Sequence, residues 1–138
     1  MKLTLIYKGE MQAPVRFGLE QLEAAAKRKN IKIERDTYWN GPGLFLLVGN
    51  VQERFLQIAL KRAGIEPERK PEGVVLANGT TDDGRSLGIV SGTDSVGLMY
   101  ALCELAQRIE ADGKAALENI GKTVSGDRPS DSGKISAQ

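Results

Sequence analysis

The run Leu44-Phe45-Leu46-Leu47-Val48-Gly49 constrains this chain more than any other stretch. A strand wetted on one side alternates polar and apolar residues, whereas a run with no polar member belongs to a strand covered on both faces. A chain holding such a strand must supply its cover. Upstream, Leu3, Leu5 and Tyr7 alternate with Lys2, Thr4 and Ile6, as in a strand with at least one buried face. Pro14 suits the first turn of a helix running to about Asn30. Val15, Leu19, Leu22 and Ala26 form its apolar stripe, and Lys27, Arg28 and Lys29 complement the negative end of its dipole. Ile31 and Ile33 mark a short second strand.

Downstream, Asn50 is placed to cap a second helix, with Glu53 at the capping-box position. Val51, Phe55, Ile58 and Ala59 are read as its inward side, and Gly64 as its end. After the polar loop IEPERKPEG, the runs GVVLAN and RSLGIVSG flank a Gly/Asp-rich turn and read as a hairpin. The last helix lies in GTDSVGLMYALCELAQRI. Thr93 and Asp94 are N-cap candidates, and Leu98, Leu102, Leu105 and Ile109 recur at helical spacing. Gly97, in its first turn, weakens a helix unless another element presses close to the backbone there. The order β-α-β-β-α-β-β-α predicts an α+β fold over residues 1–112, a two-layer sandwich with helices packed on a small mixed sheet. Residues 113–138 are rich in Gly, Ser, Lys and Asp and read as a linker or mobile tail.

Composition narrows the chemistry. At 138 residues and 41% hydrophobic content, the chain can bury one core. Nineteen Lys and Arg against eighteen Asp and Glu leave no electrostatic case for a nucleic-acid or membrane-surface partner. No apolar run is long enough to span a bilayer. The N-terminal MKLTLIYKGEMQAP alternates and carries Lys8 and Glu10, so it reads as a strand, not a signal peptide. One cysteine excludes an internal disulfide framework; the absence of histidine excludes most zinc sites and every His-dependent mechanism. No catalytic residue, cofactor or metal ligand is expected.

The remaining motifs are weak. Gly92 and Gly97 give the spacing of a phosphate loop, but Leu98 and Met99 stand where Lys and Ser/Thr are needed. In the tail, DSGKIS has Arg128 in place of the first glycine. Asp82 and Asp83 suit a hairpin turn, Glu104 and Arg108 form an (i, i+4) pair, and Cys103 sits in a helix without a base. Tyr38 and Trp39, near Gly41-Pro42-Gly43, could stack on a sugar or cover the end of a core.

The succession LFLLVGN, helix, PEGVVLAN, SLGIVSG and TDSVGLMYALCELAQRI resembles a non-catalytic N-terminal domain of glycoside hydrolases. It is shared by family 20 β-N-acetylhexosaminidases, family 67 α-glucuronidases and relatives. Pro71-Glu72-Gly73, Gly92-x-Asp94 and Gly97-Leu98-Met99-Tyr100 carry the resemblance, with Ala101 replacing the usual second glycine. It implies a domain that packs against a (β/α)8 catalytic barrel, which this length cannot contain. Tyr38, Trp39, Asp94, Gly97 and Tyr100 are then the candidate interface or sugar contacts. The alternative is a stand-alone carbohydrate-binding or protein-interaction module. An apolar surface is expected near Gly97 and Tyr100 or beside the chain's end, hidden in isolation by self-association or by the tail folding back. The parent's compartment is open, secretion or a periplasmic location included.

Overall fold

The structure, a computed structural model, describes residues 2–37, 43–67, 70–81 and 83–125. Its elements are β1 (Lys2–Tyr7), α1 (Ala13–Arg28), β2 (Lys32–Asp36), β3 (Leu44–Asn50), α2 (Arg54–Arg62), β4 (Val74–Thr80), β5 (Ser86–Gly92), α3 (Ser95–Asp112), α4 (Ala115–Glu118) and β6 (Lys122–Ser125). The sheet runs β2-β1-β3-β5-β4-β6. Strands β2, β1, β3 and β5 are mutually parallel, while β4 is antiparallel to both β5 and β6. This is the α+β class expected, a mixed sheet with helices packed on it.

The wholly apolar run becomes β3, flanked by β1 and β5 and buried at every position from Phe45 to Gly49. Its two sides face different cores. Leu46 and Val48 join Leu3, Leu5, Leu76 and Val90 under α1 and α3. Phe45 and Leu47 join Ile6, Val75, Leu87 and Ile89 under α2. The two-layer description therefore fits the α1/α3 side, and α2 adds cover on the opposite face. Helix α1 has the stripe expected, with Val15, Leu19, Leu22 and Ala26 buried, and packs alongside α3. Gly18 lets the two helices approach: a Cβ there would lie 2.9 Å from Leu102 Cβ.

Three expectations are corrected. Asn50 does not cap α2; it ends β3, where it pairs with Gly92, and the N-cap is Glu53, which makes no side-chain cap. The inward side of α2 is Leu56, Ala59 and Leu60; Val51 and Phe55 are half-buried, and Ile58 is 50% exposed. The chain also does not leave the fold at Asp112. Gly113, at φ 63°, ends α3 and turns the chain back. Residues 114–125 then bury Ala116, Leu117 and Ile120 in the α1/α3 core and add β6 to β4. Residues 126–138 lie outside the described residues.

Candidate functional site

The carboxyl ends of the parallel strands β3 and β5 lie side by side, with Asn50 opposite Gly92. Beyond them the chain enters α2 through Gln52 and Glu53, and α3 through Thr93 and Asp94. Open sheets hold ligands at such carboxyl ends. The two connections are tied together, Gln52 Nε2 donating to the Thr93 carbonyl at 2.9 Å.

Asp94 is the N-cap anticipated. One carboxylate oxygen accepts from the Gly97 N–H at 2.8 Å, and the other from the Glu72 N–H at 3.0 Å. Thr93 completes the lock: its hydroxyl donates to the Lys70 carbonyl at 2.6 Å and accepts from the Gly73 N–H at 2.7 Å. Glu72 is held in the left-handed region at φ 56°. Two adjacent side chains thus fasten the start of α3 to the turn that feeds β4.

Gly97 is explained by the same turn. A Cβ on it would lie 2.2 Å from the Gly73 carbonyl oxygen, and one on Gly92 2.2 Å from the Leu98 nitrogen. The spacing that imitates a phosphate loop is filled by protein backbone. Tyr100, one turn on, is half-buried against the α1/α3 core. Asp94 and Gly97 therefore come together, while Tyr100 contacts the core away from the clamp. Tyr38 and Trp39 lie outside the described residues, as do Asp82 and Arg128.

Between α2 and the loop after it, this end of the sheet opens into a cleft of about 860 Å³. Val51, Leu60, Ile65, Pro67 and Pro71 supply its apolar lining. Gln52, Gln57, Lys61, Glu66 and Lys70 supply polar groups, with Thr93 and Asp94 beneath α3. Sequence reasoning missed this cleft because its polar members come from α2, from the connections on either side of it, and from the Thr93–Asp94 connection over 20 residues further on. The signal available was the Pro67 and Pro71 loop directly after α2.

Other chemistry-bearing groups are committed elsewhere. Glu104 pairs with Arg108, which also donates to the Ile120 carbonyl and Thr123 Oγ1. Asp83 is held below the usual carboxylate range by the Thr81 hydroxyl and then by Arg85. Burial raises the Cys103 thiol, which leaves it a poor nucleophile. Among the described residues, no group of three His, Cys, Asp or Glu side chains could hold a metal ion. No helix among them is long and apolar enough to cross a membrane.

No protein-family model matches the sequence, and no curated protein does. Solved structures do. The chain is similar to part of a GH138 enzyme targeting pectin rhamnogalacturonan II, at 15% identity and TM-score 0.63 over 91% of its length. It is also similar to part of a GH115 4-O-methyl-α-glucuronidase with specificity for decorated arabinogalactans, at 22% identity and TM-score 0.57 over 78%. It spans only 15% and 13% of those two chains. At such identities the likeness is one of fold. The matched enzymes belong to families 138 and 115, whereas the sequence motifs resemble families 20 and 67. What is shared is a small α+β unit that recurs as a minor part of large glycoside hydrolases.

Proposed function

We propose that this chain is a non-catalytic accessory domain of a glycoside hydrolase, built to pack against a catalytic (β/α)8 barrel outside these residues. The observation that carries the reading is the recurrence of its fold in 13–15% of the length of two glycoside hydrolases. The side chains agree with it. There is no histidine, and among the described carboxylates Asp83 is paired with Arg85, Glu104 with Arg108, and Asp94 with backbone amides. The kinship to families 20 and 67 rests on the Pro71-Glu72-Gly73, Asp94 and Gly97 motifs. Those residues form the clamp between α3 and β4, so the motif is read as one of architecture.

Two measurements test the proposal. The purified chain is expected to show no turnover of aryl β-N-acetylglucosaminides or aryl glucuronides; activity that co-purifies with it through successive columns would overturn the reading. Antibodies raised against the chain are expected to detect a native product several times larger than its 14.9 kDa. A native product of about that mass alone would also sink it.

A further inference from the structure

We propose that the cleft at the carboxyl ends of β3 and β5 is a binding site for a neutral saccharide. Its volume of about 860 Å³ falls within the range of small-molecule sites. The charges on its wall decide the class of ligand. Among the described lining residues, Lys61 and Lys70 are balanced by Glu66 and Asp94, so these groups together favour neither an anion nor a cation. Both oxygens of Asp94 already accept from backbone amides, and the Thr93 hydroxyl is engaged on both sides. The side chains of Gln57, Lys61 and Glu66 make no hydrogen bond or ion pair to the described residues, and Gln52 keeps its Oε1 after donating to Thr93.

That remainder is a mixed set. Gln57 donates and accepts, Lys61 donates, and Glu66 and Gln52 Oε1 accept. Such a set fits a ligand whose polar groups both donate and accept, which is the property of hydroxyls. The lining from Val51, Leu60, Ile65, Pro67 and Pro71 fits the C–H face of a pyranose ring. A neutral polyol with one apolar face meets both conditions. Choosing a saccharide among such polyols rests on the accessory-domain reading. The cleft itself does not.

The test is a chemical-shift titration of the full chain with xylotriose, chitotriose and β-1,4-galactotriose, with trigalacturonate as the charged comparator. At least one neutral trisaccharide is expected to saturate, its shifts centred on Gln52, Gln57, Leu60 and Lys61. Gln57→Ala should weaken that binding by about tenfold. Gln57 is exposed on α2, so the variant keeps its fold, which circular dichroism checks. The site is overturned if no neutral trisaccharide saturates by about 10 mM, if Gln57→Ala binds as well, or if trigalacturonate binds more tightly. The two proposals fail separately. A large native product that binds no trisaccharide removes the site alone; a native product of the chain's own size that binds one removes the accessory reading alone.

Discussion

The two faces of the sheet are built on different tolerances. Under α1 and α3, long helices lie close to the strands and to each other, and two of the glycines at the start of α3 meet backbone: Gly97 against the Gly73 carbonyl, Gly92 against the Leu98 nitrogen. Under α2, one nine-residue helix covers the opposite face, and the glycines there meet only side chains. A Cβ on Gly79 would lie 3.2 Å from Ile89 Cδ1, and one on Gly49 3.1 Å from Leu56 Cδ2. The first face is rigid because backbone cannot step aside. The second leaves room, and the cleft opens beside it. The clamp residues Thr93 and Asp94 form one edge of that cleft, so the rigid side frames what the looser side leaves open.

The comparison is broken most severely by removing the return segment that closes the α1/α3 side. Ending the chain after Asp112 takes Ala116, Leu117 and Ile120 out of that core and strips β6 from β4. Loss of the two large side chains alone implies a cost of about 4 kcal/mol. The truncated chain should unfold at much lower urea and bind apolar dyes or dimerise. If it stays monomeric, equally stable and dye-silent, the segment covers nothing.

The glycines test the tolerances directly. Gly97→Ala forces a methyl group into a carbonyl oxygen, so any gain in helix propensity is outweighed. A loss of about 3 kcal/mol is expected. Gly79→Ala needs only a small movement of the Ile89 side chain and should cost about 1 kcal/mol or less. Urea denaturation of both variants decides it. Equal losses would show that the faces do not differ in rigidity.

The same division governs what could be read in advance. In α1 the stripe admits one reading, because the one large apolar residue outside Val15, Leu19, Leu22 and Ala26 is Phe17, flanked by no large apolar partner at helical spacing. In RFLQIALKR the apolar residues permit two stripes, one through Phe55 and Ile58, the other through Leu56 and Leu60. Only the position of the sheet beneath α2 selects the second. Asn50 looked like a cap because its type favours caps, but its pairing with Gly92 keeps it in the strand. The return segment was obscured by its composition: its buried residues are few, and polar groups fasten it. Asn78 is one such group, accepting from the Gly121 N–H and donating to the Leu117 carbonyl. At the candidate site, Asp94 was legible as a cap, but its second bond to Glu72 depends on a turn 22 residues away.

Arg108 offers a milder break of the α1/α3 side. Its guanidinium joins Glu104, the Ile120 carbonyl and Thr123, so it fastens the return segment to α3. The side chain is 28% exposed, which moderates its contribution. Arg108→Ala should cost about 1–2 kcal/mol. It should also speed amide exchange in residues 114–125 more than in β1 or β3. Uniform acceleration across the sheet would assign Arg108 no local role.

The smallest effect separates the faces by pH. On the α1/α3 side, burial raises the Tyr7 hydroxyl, helped by Glu53 and then Glu10, and burial raises the Cys103 thiol. A folded value above the unfolded one gives stability that is complete below the unfolded value and lost as pH rises through the folded one. That loss should begin near pH 8.5 for Cys103 and near pH 10 for Tyr7. On the α2 side, Glu34 is held below the usual carboxylate range by its hydrogen bond to Lys2. Its contribution is present above about pH 4.3 and fades as pH falls through the lowered folded value. Because the Glu34 side chain is 44% exposed, solvent screens the pair and the acid limb should be shallow. Urea midpoints between pH 8 and 11 should flatten in Tyr7→Phe combined with Cys103→Ala, with the acid limb untouched, whereas Lys2→Met should alter the acid limb alone. If either change moves the other limb, the two faces titrate as one unit, and the division between them does not extend to their charges.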